Sequence, residues 1–545
     1  MNLFDKMTQQ QRMLLAIVLS FIFFIVYDFL LPKPQALPAD MNQTAISQNS
    51  AASATTSAPA PATASTAAPA GASQGAPASD AASVSAAGAD AHENIAEVNT
   101  RDFHMYIDDL GRVSRFEVLI EKFKTEEGKL PNLVDPAAPV KPLEIRFSDP
   151  KLNLEAFKTP YTADRKMLNA IDGERVLTLT QKLSSVTVTK RLQFKPNGTY
   201  DVSVTLSNPV EYYISPGFRP TEHADMYTFK GVLIRKADGT IETIEDGDAK
   251  GDEVFLKATI VAASDKYFTS AFYDFEKGLD VYITKDAKED PLAFVKGSPD
   301  FSTHAYAGAK AYDKLHSIDP RLTDIIEYGF FTFISKPLFI LLKSIYNFVG
   351  NWGWAIVITT ILLRLVLFPL TYKGMVSMNR LKELSPKVKE IQQKYKGDPA
   401  KMNAKMMELY KKHNANPMGG CLPMLLQIPV FFAIYRVLLN AVELKHAPWI
   451  GWIHDLSVMD PYFILPVLMA GTMFWQQHIT PTNFTDPMQE KIMKFLPLIF
   501  MFFFVTFPAG LTLYWFVNNL FGVAQQYYVN KLFEKEKARK AKGQE

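Results

Sequence analysis

The sequence predicts a polytopic α-helical membrane protein, with six spans of which five form the core, carrying an inserted all-β domain of sandwich type. Three observations carry that expectation. Apolar runs of spanning length occupy 14–31 and recur through the chain after Asn351. Between about 95 and 318, apolar residues alternate with polar ones in period two, as half-buried strands do. The two regions are separated by a stretch almost free of charge and of large apolar residues. The formal net charge of +2 gives no reason to expect a nucleic-acid partner, and the one cysteine, Cys421, excludes an intrachain disulfide framework or a cysteine metal cluster.

In chain order, 1–31 reads as a polar tip bearing Lys6 and Arg12, followed by a membrane anchor. The apolar run is broken only by Ser20, Tyr27 and Asp28. It exceeds the roughly 7–15 residues of a signal-peptide core, and Pro32-Lys33-Pro34 follows in place of a small-residue cleavage site. Residues 32–94, rich in Ala, Ser, Thr and Pro, cannot bury enough surface to offset their ordering entropy and read as a disordered linker.

The β domain, 95–318, shows its period in Val176-Leu177-Thr178-Leu179-Thr180 and Val186-Thr187-Val188-Thr189. Arg191 to Phe194, Pro196-Asn197-Gly198 and Tyr200 to Leu206 predict a hairpin. Tyr212, Tyr213 and Phe218 read as core or turn packing, and the domain shows no metal-ligand spacing and no nucleophile motif.

Residues 319–350 are apolar but interrupted by Asp324, Glu327, Lys336, Pro337 and Lys343, a pattern expected of an amphipathic helix in the membrane interface. The membrane core then runs over 351–530. Its first span, 351–371, holds Arg364 in its apolar body. A guanidinium cannot lose its proton at ordinary pH, and at a helix centre it costs roughly 2.5–3.5 kcal/mol on insertion scales. It either snorkels toward the interface or faces a wet interior. Thr360, one turn earlier on the same face, favours the second.

Residues 372–416 predict a basic helical hairpin turning at Gly397-Asp398-Pro399. Further apolar segments lie near 421–442, 462–478, 493–508 and 510–529, and a basic tail occupies 531–545. Lys and Arg crowd the hairpin and the tail, whereas 443–461 holds only Lys445. The positive-inside rule therefore puts the hairpin and both termini in the cytoplasm, and the β domain in a bacterial periplasm.

The core spans carry no interior Asp, Glu or His, which argues against intramembrane proteolysis and against proton- or sodium-coupled transport. Thr360, Gln427, Gln476, Thr506, Thr512, Asn518 and Asn519 remain, with Arg364. Together they could line a wet groove that eases a polar, acidic segment of another chain across the bilayer while its apolar part partitions into lipid. The alternatives are a solute transporter, which calls for an internal repeat and a coupling carboxylate, and an envelope-binding protein acting through its β domain.

The run Arg364-Leu365-Val366-Leu367-Phe368-Pro369-Leu370-Thr371, the segment Asn416-Pro417-Met418-Gly419-Gly420-Cys421-Leu422-Pro423, Trp452-Ile453-His454-Asp455-Leu456-Ser457 and Phe507-Pro508-Ala509-Gly510-Leu511 resemble the YidC membrane protein insertases. The resemblance extends over essentially the whole chain. It implies a non-enzymatic insertase and chaperone of the inner membrane, with no cofactor and no small-molecule substrate. It also implies a five-span core with a groove open to cytoplasm and lipid, and a periplasmic β-supersandwich. The partners it implies are nascent membrane proteins, membrane lipids, the Sec translocon with its accessory subunits, and ribosomes at the cytoplasmic loops and tail. It carries the groove arginine to Arg364 and its polar companions to Thr360 and Gln427. Tyr514, Trp515 and Asn518 fall on the last span; Trp515 stands where relatives have a second consecutive tyrosine. Arg436 departs from the aromatic residue of some relatives and is expected to snorkel to the periplasmic interface.

Overall fold

The computed structural model describes residues 92–124, 128–221, 228–413, 422–480 and 487–541. The predicted anchor at 1–31, all but the end of the linker, and the part of the Asn416–Pro423 motif that precedes Leu422 lie outside them.

Strand residues that alternate in burial build the β domain from three sheets. In spatial order the largest contains Ile241–Glu245, Gly231–Arg235, Ile260–Ser264, Phe268–Tyr273, Asp300–Ala309, Thr199–Leu206, Thr187–Phe194, Arg175–Lys182 and Thr162–Ala163. A five-stranded sheet contains Val254–Ala258, Leu279–Lys285, Pro291–Lys296, Tyr212–Ile214 and Ile145–Phe147. A four-stranded sheet contains Val113–Val118, Phe103–Asp108, Asn94–Asn99 and Met167–Asn169, the last pair parallel. The predicted hairpin forms: Phe194 pairs with Tyr200, and Gly198 turns the chain at φ 77°.

Within the largest sheet, Ile260–Ser264 and Phe268–Tyr273 are buried at every position. Val261 and Phe272 face the core of the β domain, while Ile260, Ala262, Ala271 and Tyr273 belong to a second core shared with the helices. A sheet covered on both faces has no use for polar residues in alternation, so these strands read as continuous apolar runs.

A short helix inside the domain, α1 (Pro150–Ala156), is capped by Asp149. After the last strand come α2 (Tyr312–Ile318), α3 (Thr332–Val349), α4 (Trp352–Val366), α5 (Phe368–Lys394), α6 (Pro399–Lys412), α7 (Leu422–Asn440), α8 (Ile464–Ile479), α9 (Pro487–Phe504) and α10 (Ala509–Ala541). The predicted hairpin is α5 and α6, with the Asp398 carboxylate capping α6 at the expected turn.

One feature differs from expectation. The stretch 351–371 is not one continuous helix: the chain bends by 63° between α4 and α5. Pro369 sits in the first turn of α5, where its missing N–H costs nothing, whereas within a longer helix it would break the backbone ladder. The stretch expected at the interface forms a helix, Gly329–Val349; among the described residues it is the one continuous helix with the length and apolarity to cross a membrane, and the bent α4–α5 pair adds at most one more. Its two lysines are paired, Lys336 with Asp324 at 3.0 Å and Lys343 with Asp313. Helix α10 runs unbroken from the last apolar segment through Ala541, so most of the basic tail is helix.

The loop between α7 and α8 meets the β domain. The Glu443 carboxylate accepts the Tyr312 N–H at 3.0 Å, and the Glu443 carbonyl accepts from Lys122 Nζ at 2.7 Å. Val442 enters the core of the β domain, and the Lys445 ammonium lies over the rings of Tyr267 and Phe123 at 5.5 and 5.7 Å. Arg436, expected to snorkel, pairs with Glu327 at 3.3 Å, and Asn440 Nδ2 donates to the Glu327 carbonyl.

Candidate functional site

Helix α4 begins at Asn351. Its side chain accepts the Trp354 N–H at 3.0 Å and donates to the carbonyls of Pro448 and Trp449, which fixes the helix start against the α7–α8 loop. From that anchor, 3.6-residue periodicity puts Thr360 and Arg364 on one face, with Leu363 and Leu367 beside them. The face opens on a small cavity of about 20 Å³, room enough for water. Its other walls are Leu370 and Thr371 of α5, Gln427 and Val430 of α7, and Tyr514 and Asn518 of α10. The bend at Leu367 is what brings Leu370 and Thr371 round to close this wall.

Arg364 is only 9% exposed. Its Nε donates to Asn518 Oδ1 at 2.7 Å, and Gln427 Nε2 approaches the same oxygen at 3.4 Å. Among the described residues no carboxylate is paired with Arg364, and Nε is the one guanidinium nitrogen hydrogen-bonded to them. A guanidinium has five N–H donors, and a buried charge left unpaired is costly, so this geometry calls for water or a visiting polar group in the cavity. The Thr360 hydroxyl donates to the Ile356 carbonyl at 2.7 Å, which leaves its oxygen as an acceptor on the cavity wall.

Of the ten residues singled out from sequence, five share one cavity, Arg364, Thr360, Gln427, Tyr514 and Asn518, whereas Gln476, Thr506, Thr512 and Asn519 are not among the residues that line it. Trp515 does not line it. Its ring packs against Phe431, Phe504 and Phe500 at centroid distances of 4.6, 5.2 and 6.2 Å, and its buried Nε1 has no hydrogen-bond partner. A step of one residue on a helix turns a side chain by about 100°, so consecutive residues cannot both face one cavity squarely.

Sequence reasoning passed over Thr371 and Gln525. Gln525 is buried and donates to the Arg364 carbonyl at 3.3 Å, tying α10 to the end of α4. Asn518 and Gln525 lie seven residues apart, two helical turns, and that spacing was the available signal. Among the described residues no group of three or more His, Cys, Asp or Glu could hold a metal ion.

The comparisons agree with this architecture. Residues 344–537 match the family described as 60Kd inner membrane protein, and residues 121–341 match the YidC periplasmic domain. The chain is 50% identical over 552 residues to a protein of Campylobacter jejuni named membrane protein insertase YidC, covering 100% of both chains. A protein of the same name from Wolinella succinogenes is 51% identical over 538 residues, covering 98% of this chain and 97% of its own. One from Helicobacter pylori is 43% identical over 562 residues, covering 98% of each.

Proposed function

The chain belongs to the YidC family of membrane protein insertases, and from that premise we propose that the Arg364 cavity is the hydrophilic groove through which client segments pass. The protein is a bacterial inner-membrane protein with a periplasmic domain. One observation carries the proposal: a nearly buried cation with one hydrogen bond and no carboxylate partner among the described residues.

An acidic side chain crossing the bilayer centre costs roughly 2.5–3.5 kcal/mol on insertion scales. A fixed positive charge in a wet groove lowers that barrier, because Coulomb attraction strengthens as the surrounding dielectric falls. Thr360, Gln427 and Asn518 supply neutral hydrogen-bonding groups to the rest of the polar segment. Leu363, Leu367, Leu370 and Val430 surround it with apolar wall. The client's apolar helix then moves sideways into lipid, driven by about 0.8 kcal/mol for each methylene taken out of water. No nucleotide is needed, and the chain acts as an insertase and chaperone rather than an enzyme.

The same reading has α4, α7, α8, α9 and α10 as the five-span core, a further anchor at 14–31, and both termini and the α5–α6 hairpin in the cytoplasm. The basic hairpin and tail would meet the ribosome, the apolar helix faces would meet lipid, and the Sec translocon would receive or hand over clients laterally.

The test is insertion of a single-span client into liposomes holding the purified protein. Arg364→Ala is expected to slow a client with an acidic translocated tail about tenfold, equivalent to about 1.4 kcal/mol, and to spare a client with a neutral tail. Equal rates for the acidic client with and without the arginine would remove the charge from the mechanism.

A further inference from the structure

One side-chain amide joins three elements about 18 Å along α5 from this cavity. Asn530 Nδ2, on α10, donates to the Ile479 carbonyl at 3.2 Å, the last residue of α8. Asn530 Oδ1 accepts from Asn379 Nδ2 of α5 at 3.0 Å and from Gln526 Nε2 at 2.8 Å. Asn379 and Gln526 are both buried. The Ile479 carbonyl is among those a helix end leaves without a partner in its own helix, so the amide satisfies an otherwise orphaned group.

Helix α5 leaves the bundle at the 63° bend, and its first turn supplies Leu370 and Thr371 to the cavity wall. A helix held only at its bend can swing. Asn379 lies twelve residues beyond Leu367, about 18 Å along the axis, so a tie there sets the direction of the whole helix. A second tie, Lys537 to Glu383 at 2.8 Å, joins the same two helices, but its side chains are 61% and 40% exposed, and solvent and salt screen it.

We infer that Asn530 is a positioning residue that bolts the α5–α6 hairpin to α10 and to the end of α8, and through α5 holds the cavity wall at Leu370 and Thr371. The inference rests on the reading of that cavity as the client groove. The bolt itself can be tested without it.

The experiment is a spin-label distance measurement on the full chain in lipid nanodiscs, with labels at Met407→Cys on α6 and Leu520→Cys on α10 in a Cys421→Ser background. Asn530→Ala removes every bond of the bolt, and Asn379→Ala removes only its link to the hairpin. Gln526→Ala removes a bond within α10, and Glu383→Gln removes the exposed ion pair. The expected result is a narrow distribution in the parent, roughly doubled in width by Asn530→Ala and by Asn379→Ala, and unchanged by Gln526→Ala and Glu383→Gln. Unchanged width in both the Asn530 and Asn379 variants, or equal broadening by Gln526→Ala, would overturn the bolt. Client insertion by the same samples is read separately: if the parent inserts clients without regard to Arg364, the groove reading falls while the distance result stands.

Discussion

Asn518 Oδ1 sits 2.7 Å from Arg364 Nε, so α10 holds the guanidinium of α4 by a neutral acceptor and not by an opposite charge. The distinction separates structure from function. A neutral acceptor orients the cation and leaves its field available to a visitor, whereas a carboxylate in the same place would consume it. Asn518→Asp is nearly isosteric, keeps the acceptor and adds the counter-charge.

The chain carrying Asn518→Asp is therefore expected to fold with undiminished thermal stability in detergent and yet to insert acidic-tailed clients about tenfold more slowly, equivalent to about 1.4 kcal/mol. Asn518→Leu should do the opposite to stability. It strands a buried charged donor, which costs about 1–3 kcal/mol or more, and the melting transition should drop. If Asn518→Asp inserted such clients at the parent rate, the field of Arg364 would play no part in client passage.

A second buried cation lies in the β domain. Lys190 Nζ donates to the carbonyls of Gly111 and Leu143 at 2.9 and 2.8 Å, and lies 4.5 Å from the Tyr161 ring centroid. Burial pushes its ammonium down to about 7, with Asp108 and Glu144 opposing and Arg112 reinforcing the shift. Between that value and the ordinary lysine value of about 10.4, the unfolded chain holds a proton that the folded chain does not. Stability must rise with pH across this window. Lys310, fully buried and pushed down to about 8, adds a slope of the same sign. Urea midpoints of the full chain measured from pH 7 to pH 10 should climb, and Lys190→Met should flatten most of the climb. Parallel profiles for parent and variant would mean that Lys190 keeps its proton in the fold.

The contact between the α7–α8 loop and the β domain turns on Glu443, whose carboxyl burial raises above the usual carboxylate range. Glu443→Ala leaves the Tyr312 N–H without its acceptor, a loss of about 1–3 kcal/mol. Glu443→Gln keeps an oxygen in place. Amide hydrogen exchange at Tyr312 should accelerate strongly in the alanine variant and little in the glutamine variant. Equal exchange in both would show that the Glu443 carboxylate does not hold the loop, leaving Val442, Lys445 and the Lys122 bond to the Glu443 carbonyl.

Local chemistry is what the sequence made readable. Pro196-Asn197-Gly198 specifies its turn within a few residues, and the observed pairing of Phe194 with Tyr200 follows from it. Arg364 announces a polar interior because one guanidinium in an apolar run has few tolerable environments. Relationships across long separations were not readable. The Arg436–Glu327 pair spans 109 residues, and Asn379 meets Asn530 across 151. The break at Leu367 was hidden for another reason. Pro369 suits either a kink within a span or the first turn of a new helix, and the packing of Leu370 and Thr371 around the cavity decides between them.

Trp515 provides the sharpest division between cavity and packing. Its indole N–H is buried without a partner, so removing it sacrifices no hydrogen bond, while its ring fills a space among Phe431, Phe500 and Phe504. Trp515→Phe should leave client insertion within about twofold of the parent, because removing an unsatisfied donor offsets part of the lost contact. Trp515→Ala should lower stability by less than the roughly 3–5 kcal/mol of a fully buried aromatic, because the ring is only partly buried. Both variants keep Arg364, Asn518 and Gln427, so the insertion that survives in folded Trp515→Ala should still discriminate acidic from neutral clients. A large loss of insertion in Trp515→Phe at unchanged stability would instead require the indole N–H to meet the client, and the tryptophan would then belong to the groove and not to the aromatic cluster behind it.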